Sequence, residues 1–234
     1  MSFTGKNVVI TGAAGSLGKA VAVAFAAAGA NLSLWDIEEE RLHAVYAQPS
    51  PAWLFSAVNL LDPNSVSTAA DASIAKFGRI DILCNIAGGF QMGAPVHELL
   101  DETWRTMMDL NAGSVINTAR AVVPKMIAAG SGKIINIGAN SALTGKGGMS
   151  AYCASKSAVA RLTESMGSEL REHGINVNCV MPSILDTPPN RSAMPNANFD
   201  HWVTPEALAE VILFLASNAA RSIHGACIPV VGLS

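Results

Sequence analysis

Charge is scarce in this chain. Asp, Glu, Lys and Arg make up 14% of its 234 residues, and the formal net charge is −3. No run of lysine or arginine offers a surface to a phosphate backbone or an anionic lipid, so neither a nucleic acid nor a membrane is an expected partner. Half of the residues are hydrophobic, which excludes disorder of the whole chain. No uninterrupted apolar run reaches the roughly 20 residues of a membrane span. The opening MSFTGKNVVITG leads straight into a strand, without the apolar core and cleavage site of a signal peptide. Cys84, Cys153, Cys179 and Cys227 are widely spaced and fit neither CxxC nor a zinc pattern. They read as reduced, mostly buried thiols, and the expected location is the cytoplasm. His97 and His201 stand in no ligand spacing with Cys, Asp or Glu, so no metal is expected.

What the chain has is a regular alternation of short apolar runs and helical stretches. Strands are expected at 7–11, 31–35, 53–58, 80–86, 133–137, 176–181 and 226–231, apolar on both faces as buried parallel strands are. Helices are expected at 18–28, 62–77, 102–129, 150–172 and 204–217. Asp62-Pro63 and Thr204-Pro205 read as N-caps followed by proline at the first helical position. Seven strands with intervening helices predict an α/β fold, one doubly wound, Rossmann-type parallel sheet with helices on both faces, as a single domain over 1–234. The exception to the alternation is 182–205, rich in proline and asparagine. Its length predicts a functional flap over a site rather than a plain connection.

In VVITGAAGSLGKAVAVAFAAAGA, Gly12, Gly15 and Gly18 fall at the junction of the first strand and first helix. Glycine there permits the tight turn, the approach of a pyrophosphate and close helix–strand packing, and the helix N-terminus faces the anion. Asp36 ends the second strand, where its carboxylate can accept from both adenosine ribose hydroxyls and repel a 2′-phosphate; the other reading is an acidic cap of the helix that follows. The next residue, Ile37, is no arginine to welcome that phosphate, so NAD(H) is favoured and NADP(H) is the lesser expectation.

Tyr152 and Lys156 are four residues apart and share one helix face. An ammonium beside a phenol favours the phenolate and lowers the phenol pKa from about 10 toward working pH. Cys153 points about 100° away from Tyr152 and receives no chemistry.

Taken together these residues resemble the short-chain dehydrogenase/reductase superfamily over nearly the whole chain. TGAAGSLG is similar to its glycine motif, with Ser16 at the usual middle glycine and Gly15 one place earlier. CNIAGG resembles the Asn-Asn-Ala-Gly segment, keeping Asn85, Ala87 and Gly88. Asn111 matches an asparagine that supports the lysine through a water, and Tyr152 and Lys156 match the Tyr-x-x-x-Lys pair. Pro182, Ile184 and Thr187 match the segment that grips the nicotinamide end, with Ser183 replacing a glycine. The resemblance implies catalysis by Tyr152, Lys156 and Asn111. It implies cofactor contacts from Gly12, Gly15, Ser16, Leu17, Gly18, Asp36, Asn59, Leu60, Asn85, Ala87, Gly88, Tyr152, Lys156, Pro182, Ile184 and Thr187. The family serine is expected thirteen residues before the tyrosine, and that position holds Ala139.

A narrower resemblance addresses the missing serine. GANSALTGKGGMSAY and LDTPPNRSAMPNANFDHWVTPE are similar to segments of quinonoid dihydropteridine reductases, which also lack the serine and use NADH. Asn85, Asn111 and Thr11-Gly12 instead follow the wider superfamily. The resemblance implies hydride transfer from NADH to a C=O or C=N group, with Tyr152 donating the proton. A quinonoid ring spreads its developing charge and needs a second donor least. The alternatives are a carbonyl reductase or alcohol dehydrogenase of a small ketone, in which Asn140 or Ser141 replaces the serine, and a dinucleotide-binding sensor without turnover. Phe90 is read either as a stacking partner for a planar substrate or as a core residue. Asn190, Arg191, His201 and Trp202 either line the pocket or are solvated flap residues. Small and apolar residues on helices 102–129 and 150–172 match the family's intersubunit bundle, which implies a homodimer or homotetramer.

Overall fold

The computed structural model describes residues 1–48 and 50–234. Seven strands form one parallel sheet: β1 (Asn7–Thr11), β2 (Asn31–Asp36), β3 (Trp53–Ala57), β4 (Ile82–Asn85), β5 (Gly132–Ile137), β6 (Ile175–Pro182) and β7 (Cys227–Val230). Their order across the sheet is β3-β2-β1-β4-β5-β6-β7. In register, Ile10 of β1 stands opposite Leu34 of β2 on one side and Cys84 of β4 on the other. The chain therefore reverses its direction of travel between β1 and β4, and a crevice opens there above the carboxyl ends of the strands.

The helices are α1 (Ser16–Ala27), α2 (Glu39–Val45), α3 (Pro63–Phe77), α4 (Asp101–Met108), α5 (Ser114–Ala129), α6 (Ser150–Leu170), α7 (Pro188–Ala193) and α8 (Pro205–Ala216). Alternate residues of a strand point to opposite faces, and the core divides accordingly. Val8 and Ile10 pack with Phe25 of α1 and Ile212 of α8, whereas Val9 packs with Val66 of α3 and Val122 of α5. Asp62 and Thr204 cap their helices as expected, accepting from the N–H groups of Asn64 at 2.9 Å and Ala207 at 3.2 Å. Among the described residues no helix is long and apolar enough to cross a membrane.

Three expectations change. The stretch 102–129 is helical throughout but is broken in bonding pattern by a π turn, Asp109–Gly113, where Ser114 N–H reaches back to Asp109 O. The hydroxyl of Ser114 takes up the carbonyl of Leu110 at 2.7 Å. The short helix α2 lies between β2 and β3, outside the helical stretches given above. Residues 182–205 are a folded segment and not an irregular one, with α7, a 3-10 turn at Phe199–His201 and a bridge joining Leu185 to Val203.

A chain of buried polar side chains crosses the middle of the sheet. Thr118 Oγ1 donates to Asn85 Oδ1 at 2.9 Å, Asn85 Nδ2 to Asn136 Oδ1 at 2.8 Å, and Asn136 Nδ2 to Thr163 Oγ1 at 2.9 Å. It ties α5 to α6 through β4 and β5. Asn85, expected at the cofactor, thus turns its side chain into the core, because its register partner across the sheet is Asn136. Such a chain is stable only when every member is paired. Asn136→Ala leaves the amide of Asn85 without its acceptor and should lower stability by about 2–4 kcal/mol, measured by urea denaturation. A loss under ~0.5 kcal/mol would show the chain to be energetically idle.

Candidate active site

The crevice is a cleft of about 550 Å³ lined by Gly12, Gly15, Ser16, Leu17, Gly18, Asp36, Asn59, Leu60, Ala87, Gly88 and Thr187, among others. Gly12 holds φ +63°, and a β-carbon there would lie 3.0 Å from Ala87 Cα. One on Gly18 would run into the Gly12 carbonyl and lie 2.8 Å from Ala13 Cα. Gly15 opens α1 without a side-chain cap, so the N–H groups of the first turn are left for an anion. The turn is fixed from two sides. Tyr46 Oη donates to Ala13 O at 2.8 Å, and Thr11 Oγ1 accepts from Ile86 and Ala87 N–H at 3.0 and 3.1 Å. This uncapped helix end, with backbone on one wall and a carboxylate beyond, fits a dinucleotide.

That carboxylate is Asp36, buried at the end of β2. Its Oδ2 accepts from Ala14 N–H at 2.9 Å, and its Oδ1 accepts from Ile37 N–H at 3.0 Å and pairs with the Arg41 guanidinium at 3.1 Å. Arg41 lies in α2 and lines the cleft. Attention to residue 37 alone misses it. The signal was the arginine five places on, readable only once a helix is known to fold back over the strand end. Leu60 is held by a bond from Asn117 Nδ2 to its carbonyl at 2.8 Å.

At the other end, α6 presents Tyr152 and Lys156. Lys156 is buried and its Nζ donates to Ile137 O at 2.8 Å. Burial pulls its pKa down to about 8, against the opposing influence of Cys179. Burial pushes the Tyr152 phenol up to about 12, with Cys153 adding to the rise. The expected lowering of the phenol by the ammonium is therefore not found in this state, because desolvation dominates. The phenol is held in its protonated form, which is the form a proton donor requires.

Asn111 lies in the π turn and is almost fully buried. Its Oδ1 accepts from Gly89 N–H at 3.0 Å, while its Nδ2 donates to Gly89 O at 3.1 Å and Ser155 Oγ at 2.9 Å. Ser155 in turn donates to Tyr152 O at 2.8 Å. Both amide donors are engaged, so the side chain acts first as a clamp. Gly88 joins the two halves of the site: it lines the cleft, and a β-carbon on it would lie 2.7 Å from Asn111 Oδ1 and 3.1 Å from Lys156 Nζ.

Ala139 is buried at the head of a 3-10 turn, Asn140–Leu143. Cys153 Sγ donates to Ser141 O at 3.3 Å and Ser157 Oγ to Ala142 O at 2.9 Å, fastening the turn to α6. Cys153 thus has a structural part that its position beside Tyr152 did not suggest. The side chains of Asn140 and Ser141 make no hydrogen bond among the described residues. Phe90 is 57% exposed, with its ring edge-on to Tyr152 at 4.9 Å, so it belongs to the site and not to the core.

In the segment after β6, which ends at Pro182, the carbonyl of Ile184 accepts from Val203 N–H at 3.0 Å. Thr187 caps α7 and lines the cleft. Asn190 and Arg191, candidates for substrate contact, are engaged within the segment instead. Asn190 Nδ2 donates to Leu185 O at 2.8 Å, and Arg191 makes a two-point ion pair with Asp186 at 2.5 and 2.7 Å while lying 4.7 Å over the Phe199 ring. Trp202 is buried beside Phe199.

A parallel sheet of this order, with a glycine-lined crevice where the strand order reverses, defines a dinucleotide-binding fold. Residues 6–198 match the short chain dehydrogenase family, and the chain belongs to it. The family binds NAD(P)(H) and acts on small molecules. The chain is 32% identical to the 3-oxoacyl-(acyl-carrier-protein) reductase FabG of Thermotoga maritima, over 99% of this chain and 98% of that protein. It is 33% identical to the D-threitol dehydrogenase of Mycolicibacterium smegmatis, over 97% and 92%. The crystal structure of a 3-ketoacyl-(acyl-carrier-protein) reductase from Brucella melitensis complexed with NADH superposes with a TM-score of 0.89 at 26% identity, covering 99% of this chain and 98% of that one.

Burial of Lys156 carries a stability signature. Its folded pKa of about 8 lies below the ordinary 10.5. Between those values the unfolded chain binds more protons, so this group makes stability rise with pH there. Lys156→Met should remove that rise, flattening the pH 7–10 stability curve from urea denaturation by an amount of order 1–3 kcal/mol. Parallel curves for the two proteins would mean that the ammonium is solvated.

Proposed function

We propose that the protein is an NADH-dependent oxidoreductase that reduces a C=O or C=N group with Tyr152 as the proton donor. The observation that carries this reading is the half-buried Tyr152 phenol one helical turn from Lys156, whose Nζ lies against Gly88 in the wall of a cleft that fits a dinucleotide. When bound, the cofactor supplies the hydride. The first turn of α1, with Gly12, Gly15, Ser16, Leu17 and Gly18, holds the pyrophosphate. Asp36 accepts from the adenosine ribose, and Asn59 and Leu60 border the adenine. Ala87, Gly88, Pro182, Ile184 and Thr187 form the nicotinamide end, with 182–205 as a flap over it. Lys156 donates to the nicotinamide ribose and stabilises the Tyr152 phenolate as the proton leaves. Asn111 positions both through Gly89 and Ser155, and its Oδ1, facing Lys156 across Gly88, can take a water.

Ala139 supports a substrate whose developing charge is delocalised, such as a quinonoid dihydropterin, because the position holds no hydroxyl for a localised oxyanion. The exposed face of Phe90 suits a planar ring. A second reading, reduction of a small ketone or oxidation of a polyol, is favoured by the unpaired side chains of Asn140 and Ser141 and by what the relatives' names say they act on. A homodimer or homotetramer is supported by Ile116 and Ile127, each more than a third exposed on α5. The cytoplasm is supported by four unpaired thiols.

Three measurements test this. Tyr152→Phe should bind NADH with unchanged Kd while kcat falls by about 10²-fold or more; full activity would assign the proton to another donor. Wild type should favour NADH over NADPH in kcat/KM, and Asp36→Ala should erase the preference while Arg41 remains to meet a 2′-phosphate; equal use of both cofactors by the wild type would remove Asp36 from this part. Ala139→Ser should raise kcat/KM for simple ketones but not for quinonoid dihydropterin. Heavy loss of pterin turnover in Ser141→Ala, or none in the wild type, would turn the assignment to the ketone, and NADH binding with no turnover on either class would turn it to a sensor.

A further inference from the structure

Cys179 of β6 and Cys227, the first residue of β7, are register partners. Directly paired residues of neighbouring strands stand about 4.7–4.9 Å apart and project to one face. That spacing falls within the roughly 4.4–6.8 Å Cα window across which a disulfide closes. The thiols are near enough to influence each other, and each also donates to a backbone carbonyl, Cys179 Sγ to Val180 O at 3.5 Å and Cys227 Sγ to Ala160 O at 3.9 Å. Cys179 is fully buried, whereas Cys227 is partly exposed on the edge strand of the sheet, whose four residues have a neighbour on one side only. The other two cysteines are placed differently. Cys84 is buried in the core cluster on the opposite face, and Cys153 is bonded to Ser141 O.

We propose that Cys179 and Cys227 form a reversible disulfide with hydrogen peroxide as the oxidant, and that its closure is felt at the cofactor cleft. The Cys227 thiolate attacks the peroxide, the O–O bond breaks, and the departing oxygen takes up the thiol's proton to leave as water, giving a sulfenic acid. The Cys179 sulfur then attacks the Cys227 sulfur, the S–O bond breaks as the S–S bond forms, and the hydroxide leaves with the Cys179 proton as a second water. Two thiols are oxidised and one peroxide is reduced to two waters. The order follows from asymmetry. Cys227 is the partly exposed sulfur that a peroxide can reach and Cys179, fully buried next to it, is the resolving one; in the same direction, the neighbouring Cys179 lowers the pKa of the Cys227 thiol, while Cys227 and burial raise that of Cys179.

Closure is transmitted along the two strands. Four residues beyond Cys179, Ser183 N–H bonds to Val230 O at 3.1 Å and Ser183 Oγ to Val231 O at 2.9 Å, so β6 and β7 are tied together beside Pro182 and Ile184. On the other side, Gly138 lies against Cys179, where a β-carbon would come within 2.9 Å of Sγ, and its N–H bonds to Val180 O at 2.9 Å, so the residue after Cys179 is tied to the strand end that carries Ala139. This effect on the cleft rests on the cofactor reading above; the disulfide itself does not.

The test uses reduced full-length protein, treated with stoichiometric hydrogen peroxide, alkylated and digested with trypsin. The four cysteines fall on separate peptides, 80–105, 147–156, 172–191 and 222–234. The expected result is a cross-link of 172–191 to 222–234 that dithiothreitol removes, with Cys84 and Cys153 alkylated. In Cys179→Ala, Cys227 should stop at the sulfenic acid and be trapped by dimedone. The cross-linked protein should bind NADH about tenfold more weakly, as when one charge-assisted hydrogen bond is lost. Alkylation of Cys227 with no cross-link, or a cross-link to Cys84 or Cys153, would overturn the proposal. A cross-link with unchanged NADH affinity would overturn its coupling to the cleft. Failure of the reduced protein to bind NADH would count against the cofactor reading and leave the mass result standing.

Discussion

The amide of Asn111 holds three parts of the chain at once. With two donors and one acceptor it fixes both backbone groups of Gly89 and the hydroxyl of Ser155, which fixes the carbonyl of Tyr152. The segment after β4, the π turn and the first turns of α6 are therefore joined through one buried side chain. Without it, Gly89 beside the cleft would lose its direct hydrogen-bonded tie to the first turn of α6, leaving the more distant Asn85–Asn136–Thr163 chain to join β4 to that helix. Hydrogen bonds in a low-dielectric interior set angle as well as distance. The π turn is part of the same device. One extra residue between α4 and α5 lets the helix continue while offering Asn111 inward, and the Ser114 hydroxyl takes up a carbonyl that the wider turn displaces.

Burial then sets the electrostatics. The site has few charges, and those it has stand against apolar or hydrogen-bonded surroundings. Lys156 is nearly inaccessible, with the Ile137 carbonyl as its hydrogen-bond acceptor, and desolvation moves it and Tyr152 in opposite directions, each toward its neutral form. Asp36 is the contrast. It is also buried, but two backbone N–H groups and an arginine surround its carboxylate. The cleft thus has a satisfied anion at one end and an under-satisfied cation at the other.

Much of this was legible in the sequence because it depends on local pattern. Seven apolar runs separated by helical periodicity prescribe the parallel sheet, and Asp62-Pro63 and Thr204-Pro205 mark helix starts by chemistry that acts within one turn. The glycine junction, Asp36 and the Tyr152–Lys156 spacing are legible for the same reason. What escaped depends on contacts distant in sequence. Arg41 reaches Asp36 only because α2 folds back, and Asn85 turns from the cleft because Asn136 stands opposite it across two strands. The pKa of Tyr152 escaped because burial outweighs an adjacent charge, and burial is a property of the assembled fold. Asn190 and Arg191 are engaged by Leu185 and Asp186 inside the segment, contacts that its irregular composition does not signal.

The internal bonding of residues 182–205 has a mechanical consequence. The Arg191–Asp186 ion pair, the cation over Phe199, the Phe199–Trp202 contact and the Leu185–Val203 bridge make the segment stiffer than its proline- and asparagine-rich composition suggests. A segment braced at so many points resists fraying one residue at a time. Losing any one of these contacts leaves the others holding, so its backbone amides should exchange with solvent together and not in sequence along the chain.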